Sequence, residues 1–247
     1  MRLAKTLGLI AGLVGASSVY ALSYEGELRT PYVINVTVDP KAASLPEAKE
    51  YLAKATKLVG TNFQVAEFEE VLSIKKDGTY SVKSIIPTGS VVASVTPLDK
   101  VVRLGDGRVV GGRPIASKVT EQRGSSEPPL MALVNDKLKK IFYYRGKENV
   151  RTEELPDGGV SDIVMLGYLF LGQPVPTKNV TLSATDAKRP FLNQTLRATE
   201  TPITFAGETF PGVKFTRVLT PGEDATLEFW VRKADGLPVR TLIGLSG

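Results

Sequence analysis

From Tyr24 onward, apolar and polar side chains alternate in short runs, and each run ends at a turn-forming residue. Ile34, Val36 and Val38 alternate with Asn35, Thr37 and Asp39. Val180, Leu182 and Ala184 repeat the rhythm, and Ala225, Leu227, Phe229 and Val231 alternate with Thr226, Glu228, Trp230 and Arg232. Successive side chains of a strand point to opposite faces, so a period of two gives a sheet one apolar face. Between the runs stand Lys76-Asp77-Gly78, Asp106-Gly107, Asp157-Gly158-Gly159 and Asp235-Gly236. Gly accepts positive φ and Asp tolerates it, so these positions predict hairpin reversals. Ile203 to Leu219 reads as two strands around a turn at Ala206-Gly207 or Pro211-Gly212, and Ala225 to Val231 with Leu237 to Ile243 as a last hairpin.

Two segments depart from this rhythm. Leu45, Ala48, Tyr51, Leu52, Ala55, Leu58 and Val59 fall at helical spacing, between a Ser44–Glu47 capping box and a stop at Gly60. They predict an amphipathic helix, with Tyr51, Leu52 and Ala55 as candidate ligand-facing residues. Ser161 to Leu171 is almost wholly apolar and predicts a short buried helix capped by Ser161 or Asp162. The expected fold is mainly β: a long curved antiparallel sheet, closed or half-open as a barrel, with one amphipathic helix packed on it. A sheet with one apolar face must cover that face or close on itself. No repeat of fixed period is visible, which argues against a propeller or solenoid.

The beginning of the chain carries Arg2 and Lys5, an apolar run from Leu7 to Val14, and the small-residue pattern Val19-Tyr20-Ala21. This predicts a secretory signal over 1–21, cleaved between Ala21 and Leu22, and a single β-rich periplasmic domain over 22–247. The apolar run is shorter than the ~20 residues that span a bilayer, so no stable membrane span is expected. The chain has no Cys, which leaves neither a disulfide framework nor a lipoprotein anchor. Short alternating runs and 7% aromatic residues also fit poorly with an outer-membrane barrel, whose strands need ~9–11 residues and aromatic girdles.

The formal charge is +5, but the signs alternate along the chain rather than clustering, so no nucleic-acid track is expected. Lys137-Leu138-Lys139-Lys140 reads as the wet face of a strand. With no His and no Cys, Ser-His-Asp and Cys-His catalysis, zinc sites with N or S ligands, and haem ligation by either residue drop out. The acid pairs Glu69-Glu70 and Glu153-Glu154 point to opposite faces of a strand and read as solvated charge, not as the facing carboxylates of a glycosidase. Ser117-Lys118 lacks the helical Ser-x-x-Lys spacing, and the glycines of Leu104-Gly105-Asp106-Gly107 to Gly111-Gly112 read as a turn. No catalytic residue, cofactor or metal site is assigned.

The second half resembles the domain of unknown function 3108, a family of exported bacterial envelope proteins. The likeness rests on Asp162-Ile163-Val164-Met165-Leu166-Gly167-Tyr168-Leu169-Phe170, on the hairpin Pro202 to Phe210, and on Leu227-Glu228-Phe229-Trp230-Val231 with Leu237-Pro238-Val239-Arg240. It is strongest over residues 161–243 and implies an envelope compartment and a β architecture. The expected function is a non-catalytic envelope protein that binds or carries a hydrophobic, lipid-like ligand in a sheet concavity. The alternatives are an envelope scaffold presenting Trp230 and Arg232 to a protein partner, and a carboxylate-dependent glycan hydrolase.

Overall fold

The structure, a computed structural model, describes residues 24–37, 62–87, 100–205, 207–219 and 225–245. The first eight strands form an antiparallel meander in chain order: β1 (Gly26–Thr37), β2 (Asn62–Ile74), β3 (Thr79–Pro87), β4 (Lys100–Val110), β5 (Arg113–Arg123), β6 (Leu130–Asn135), β7 (Lys140–Arg145) and β8 (Glu148–Glu154). The remaining six form a second sheet that curls into a half-barrel. They are β9 (Ser161–Asp162), β10 (Val180–Thr185), β11 (Pro190–Phe205), β12 (Glu208–Arg217), β13 (Ala225–Arg232) and β14 (Pro238–Leu245), in the order β14-β13-β12-β11-β10-β9. Only β9 runs parallel to its neighbour, β10.

The antiparallel β class is therefore as the alternation predicts, but the meander is divided between two sheets. The division falls after β8, which is exposed along nearly its whole length and closes the long sheet at one edge. Gly158 and Gly159, with φ of 79° and 73°, turn the chain back across β5. There the Ala116 amide donates to the Val160 carbonyl at 2.7 Å and the Ser161 hydroxyl donates to the Pro114 carbonyl at 2.6 Å. The chain then starts the second sheet. The predicted amphipathic helix over 45–59 lies outside the described residues. Among the described residues the helical segment is a 3-10 turn, Ile163–Tyr168, capped by the Asp162 side chain on the Val164 amide.

That turn and the residues after it explain their own apolar sequence. Met165, Tyr168 and Leu171 pack on Leu72, Ile74, Tyr80 and Val82 of the long sheet. Leu166, Leu169 and Phe170 pack on Val180, Leu182, Val213, Phe215, Phe229 and Val231 of the second. A segment held between two sheets has no wet side, so alternation disappears. Phe170, Phe215 and Phe229 stack in series with centroids 5.2 and 5.1 Å apart.

Three local readings are corrected. Gly105 and Gly107 stand in the middle of β4, not in a turn, and the reversal falls at Gly111 and Gly112. Strand glycines mark a close approach: a Cβ on Gly105 would meet the Asp162 carboxylate at 2.0 Å, and one on Gly107 the Tyr80 ring at 2.6 Å. Lys137, Leu138 and Lys139 form a hairpin turn between β6 and β7, with Lys139 at φ 53°, rather than a strand face. The strands also outrun the visible alternation, reaching 13 residues in β2 and 16 in β11. Bulges interrupt both ladders, at Val65 of β2 opposite Ile34 and Asn35 and at Leu192 and Asn193 of β11 opposite Ser183.

Two outcomes are expected in urea unfolding followed by circular dichroism. Phe170→Ala should lose about 3–5 kcal/mol, the usual cost of emptying a buried aromatic site. Gly107→Ala should lose about 1–3 kcal/mol through overpacking, with no loss of hydrophobic burial.

Candidate binding face on the long sheet

On the inner face of the long sheet the register lines up five polar residues from five strands. Thr30 pairs with Glu70, Glu70 with Ser84, Ser84 with Arg103, and Arg103 with Glu121. The neighbouring row is apolar throughout: Leu28, Leu72, Val82, Gly105, Val119 and Ala132. The polar row is largely shut away from water, with relative exposure of 5% at Glu70, 3% at Ser84 and 9% at Glu121. A buried polar group without a partner costs several kcal/mol, so each member needs one.

The segment between the sheets supplies them. Tyr168 donates its hydroxyl to Glu70 Oε1 at 2.7 Å, and Ser84 donates to Oε2 at 2.6 Å. The hydroxyls of Tyr32 and Thr30 lie 3.2 and 3.3 Å from that of Tyr168. Arg103 donates to Asp162 Oδ1 at 2.9 Å, the same oxygen that accepts the Val164 amide at 3.0 Å. Asp162 Oδ2 rests over the bare backbone of Gly105 without a hydrogen-bond partner. At the far end, Glu121 takes Arg123 at 2.6 Å and Lys188 at 3.8 Å, so the second sheet also reaches the row through Lys188. A further bond between the sheets joins Tyr143 and Thr185 at 2.8 Å.

Burial dominates the electrostatics. It pushes the Glu70 carboxyl above its ordinary value, against the lowering effect of the Ser84 and Tyr168 hydroxyls. It likewise raises Asp162, against the Arg103 charge and the Val164 amide. The Tyr32 hydroxyl is raised by burial and by the nearby Glu70 charge. Both oxygens of Glu70 and Oδ1 of Asp162 are thus engaged in holding the inter-sheet segment.

The next row outward is different in kind. Tyr32 stacks on Phe68 at 5.3 Å, and Ile86 pairs with Val101, which pairs with Arg123. All five are only half-buried. They form an apolar shelf on the same face as the polar row, ending at the Arg123, Lys188 and Glu121 cluster.

The residues singled out in the sequence have other places. Trp230 and Arg232 lie on the outer face of β13, half-buried. The Trp230 ring sits between Lys214, 5.7 Å from its centroid, and Arg240, at 4.9 Å, while Arg232 is paired with Asp235. Tyr51, Leu52 and Ala55, and the cleavage position Ala21–Leu22, lie outside the described residues. Glu69 is exposed and paired with Arg29, but Glu70 is buried, so the pair is not simply solvated charge. Among the described residues no cluster of three or more acidic side chains could hold a metal ion. The chain matches no family model, no curated protein and no solved structure.

The two raised carboxyls fix the sign of a pH effect. A folded state that holds its protons more tightly than the unfolded chain is favoured at low pH. The contribution of Glu70 and Asp162 is complete below their ordinary values of 4.5 and 3.8 and is lost as pH rises through the raised folded values. Glu70→Gln should therefore flatten the fall in stability above pH 4.5, read by urea titration at a series of pH values. Arg103→Met leaves Asp162 buried without its cation and should lose about 3–5 kcal/mol near neutrality, with part of the loss recovered in acid.

Proposed function

We propose that the chain is a non-catalytic, exported cell-envelope protein that holds an anionic, lipid-like amphiphile on the inner face of its long sheet. The observation that carries this reading is the half-covered shelf of Tyr32, Phe68, Ile86 and Val101 beside a row of polar groups. Such a face suits a molecule with an apolar tail and a charged head. The tail lies along the shelf, and the head meets Arg123 and Lys188, two cations gathered around the single carboxylate of Glu121. Apolar sites with a few convergent polar groups are the usual form of small-molecule pockets. The signal-like residues 1–21 and the resemblance to the domain of unknown function 3108 support the compartment.

The test is uptake of a dansyl-labelled fatty acid by the purified chain, together with organic extraction and mass spectrometry of protein taken from the envelope. Saturable uptake is expected, weakened about tenfold or more by Ile86→Glu, which places a like charge on the shelf. If the native spectrum is retained but neither uptake nor extractable amphiphile is found, or if Ile86→Glu leaves uptake unchanged, the reading is wrong.

A further inference from the structure

The outer face of the second sheet carries a stripe of aromatic and basic side chains among Thr199, Thr201, Gly212 and the buried Ile203. In register across it, Thr199 pairs with Lys214, Lys214 with Trp230, and Trp230 with Arg240; one row over, Thr201 pairs with Gly212 and Gly212 with Arg232. Arg197 stands on the same face beside Thr216. Continuing outward, Ile203 pairs with Phe210 and Phe205 with Glu208, again on that face.

These last residues belong to a projecting ribbon. The β10 pairing ends at Leu196, and on the other side Gly212 pairs with Arg232 and the Lys233 amide donates to the Pro211 carbonyl at 2.9 Å, so residues 203–205 and 208–210 pair only with each other. Its end presents Phe205, which is 61% exposed. A large aromatic at the tip of a two-stranded ribbon has no core to reach, so a surface that covers it gains the burial of its ring.

The charges on the stripe identify the cover. Arg197, Lys214, Arg232 and Arg240 share this face with Glu208 and Glu228, and Arg232 is also paired with Asp235 in the adjoining turn. Glu228 is held by Lys214 at 3.2 Å and by the Thr216 hydroxyl at 3.1 Å. Arg197 and Arg240 have no carboxylate partner among the described residues. The balance is positive, and the Trp230 ring is fixed between two cations. Trp and Phe favour the boundary between headgroups and acyl chains, and each Lys or Arg near an anionic bilayer surface contributes about 1 kcal/mol.

We propose that this stripe docks the protein on an anionic phospholipid surface, with the Phe205 ribbon dipping into the headgroup layer and Arg197, Lys214 and Arg240 lying on the phosphates. It is distinct from the inner shelf, on the other sheet.

The chain has a single Trp, so its fluorescence reports on this stripe alone. The experiment is cosedimentation of the purified chain with vesicles of phosphatidylglycerol and phosphatidylethanolamine, against vesicles of phosphatidylcholine, with Trp emission read in parallel. Binding to the anionic vesicles, a blue shift of Trp230, and loss of both at high salt are expected. Phe205→Ser and Arg240→Glu alter exposed side chains and should each weaken binding about tenfold while leaving fatty-acid uptake by the inner shelf unchanged. No binding to anionic vesicles, equal binding to phosphatidylcholine, or binding indifferent to both substitutions would overturn the proposal. The last outcome together with normal uptake would do so without touching the inner shelf.

Discussion

Everything in this molecule hangs on how eleven residues, Ser161 to Leu171, sit between two sheets. They are the edge of one sheet through β9, the lid of the other through Met165, Tyr168 and Leu171, and the shared centre of two cores. Apolar packing alone would let such a segment slide, because dispersion and burial are not directional. Two polar contacts stop it. Asp162 reaches down to Arg103, and Tyr168 to Glu70, one at each end of the 3-10 turn.

The polar row beneath is therefore a positioning device first. A buried ion pair contributes little net stability, because desolvation offsets its attraction. Its effect is on which packing wins. The same row also borders the half-covered apolar shelf, so under the proposed amphiphile-binding reading one set of residues orders the two sheets and flanks the ligand, and mutations in the row act on both.

Much of this was legible from alternation. Val180 to Ala184, the 225–245 hairpin and the reversal after Phe205 lie where a period of two and the turn residues place them. Residue type reads Glu70 as solvated charge, and that reading fails: Glu70 shares parity with Leu72 and Ile74, as Ser84 does with Tyr80 and Val82, and position argues for the core. Position prevailed because Tyr168 brings a donor to the carboxyl. The split into two sheets was not legible. Asp157-Gly158-Gly159 looks like Asp235-Gly236, yet one turn sends the chain across β5 and the other joins neighbours within a sheet. Local turn chemistry specifies a reversal, not its destination. Arg103 and Asp162, 59 residues apart, become partners only once that destination is known.

Gly105 shows how the register is made unique. In the apolar row it is the one residue without a side chain, flanked by Val82 and Val119. The Asp162 carboxylate fills the gap, with Oδ2 2.0 Å from where a Cβ would stand and Oδ1 turned to Arg103. Moving β9 across the sheet by one strand would set that charge against the isopropyl group of Val82 or Val119 and leave a hole over Gly105. Both errors carry a penalty, one electrostatic and one of packing, so the arrangement is specified twice. A glycine within a strand is a poor choice for sheet stability taken alone. It is retained because the close approach it permits lets a single carboxylate lock two sheets in one relation, and the shelf and the outer stripe keep fixed positions relative to that lock.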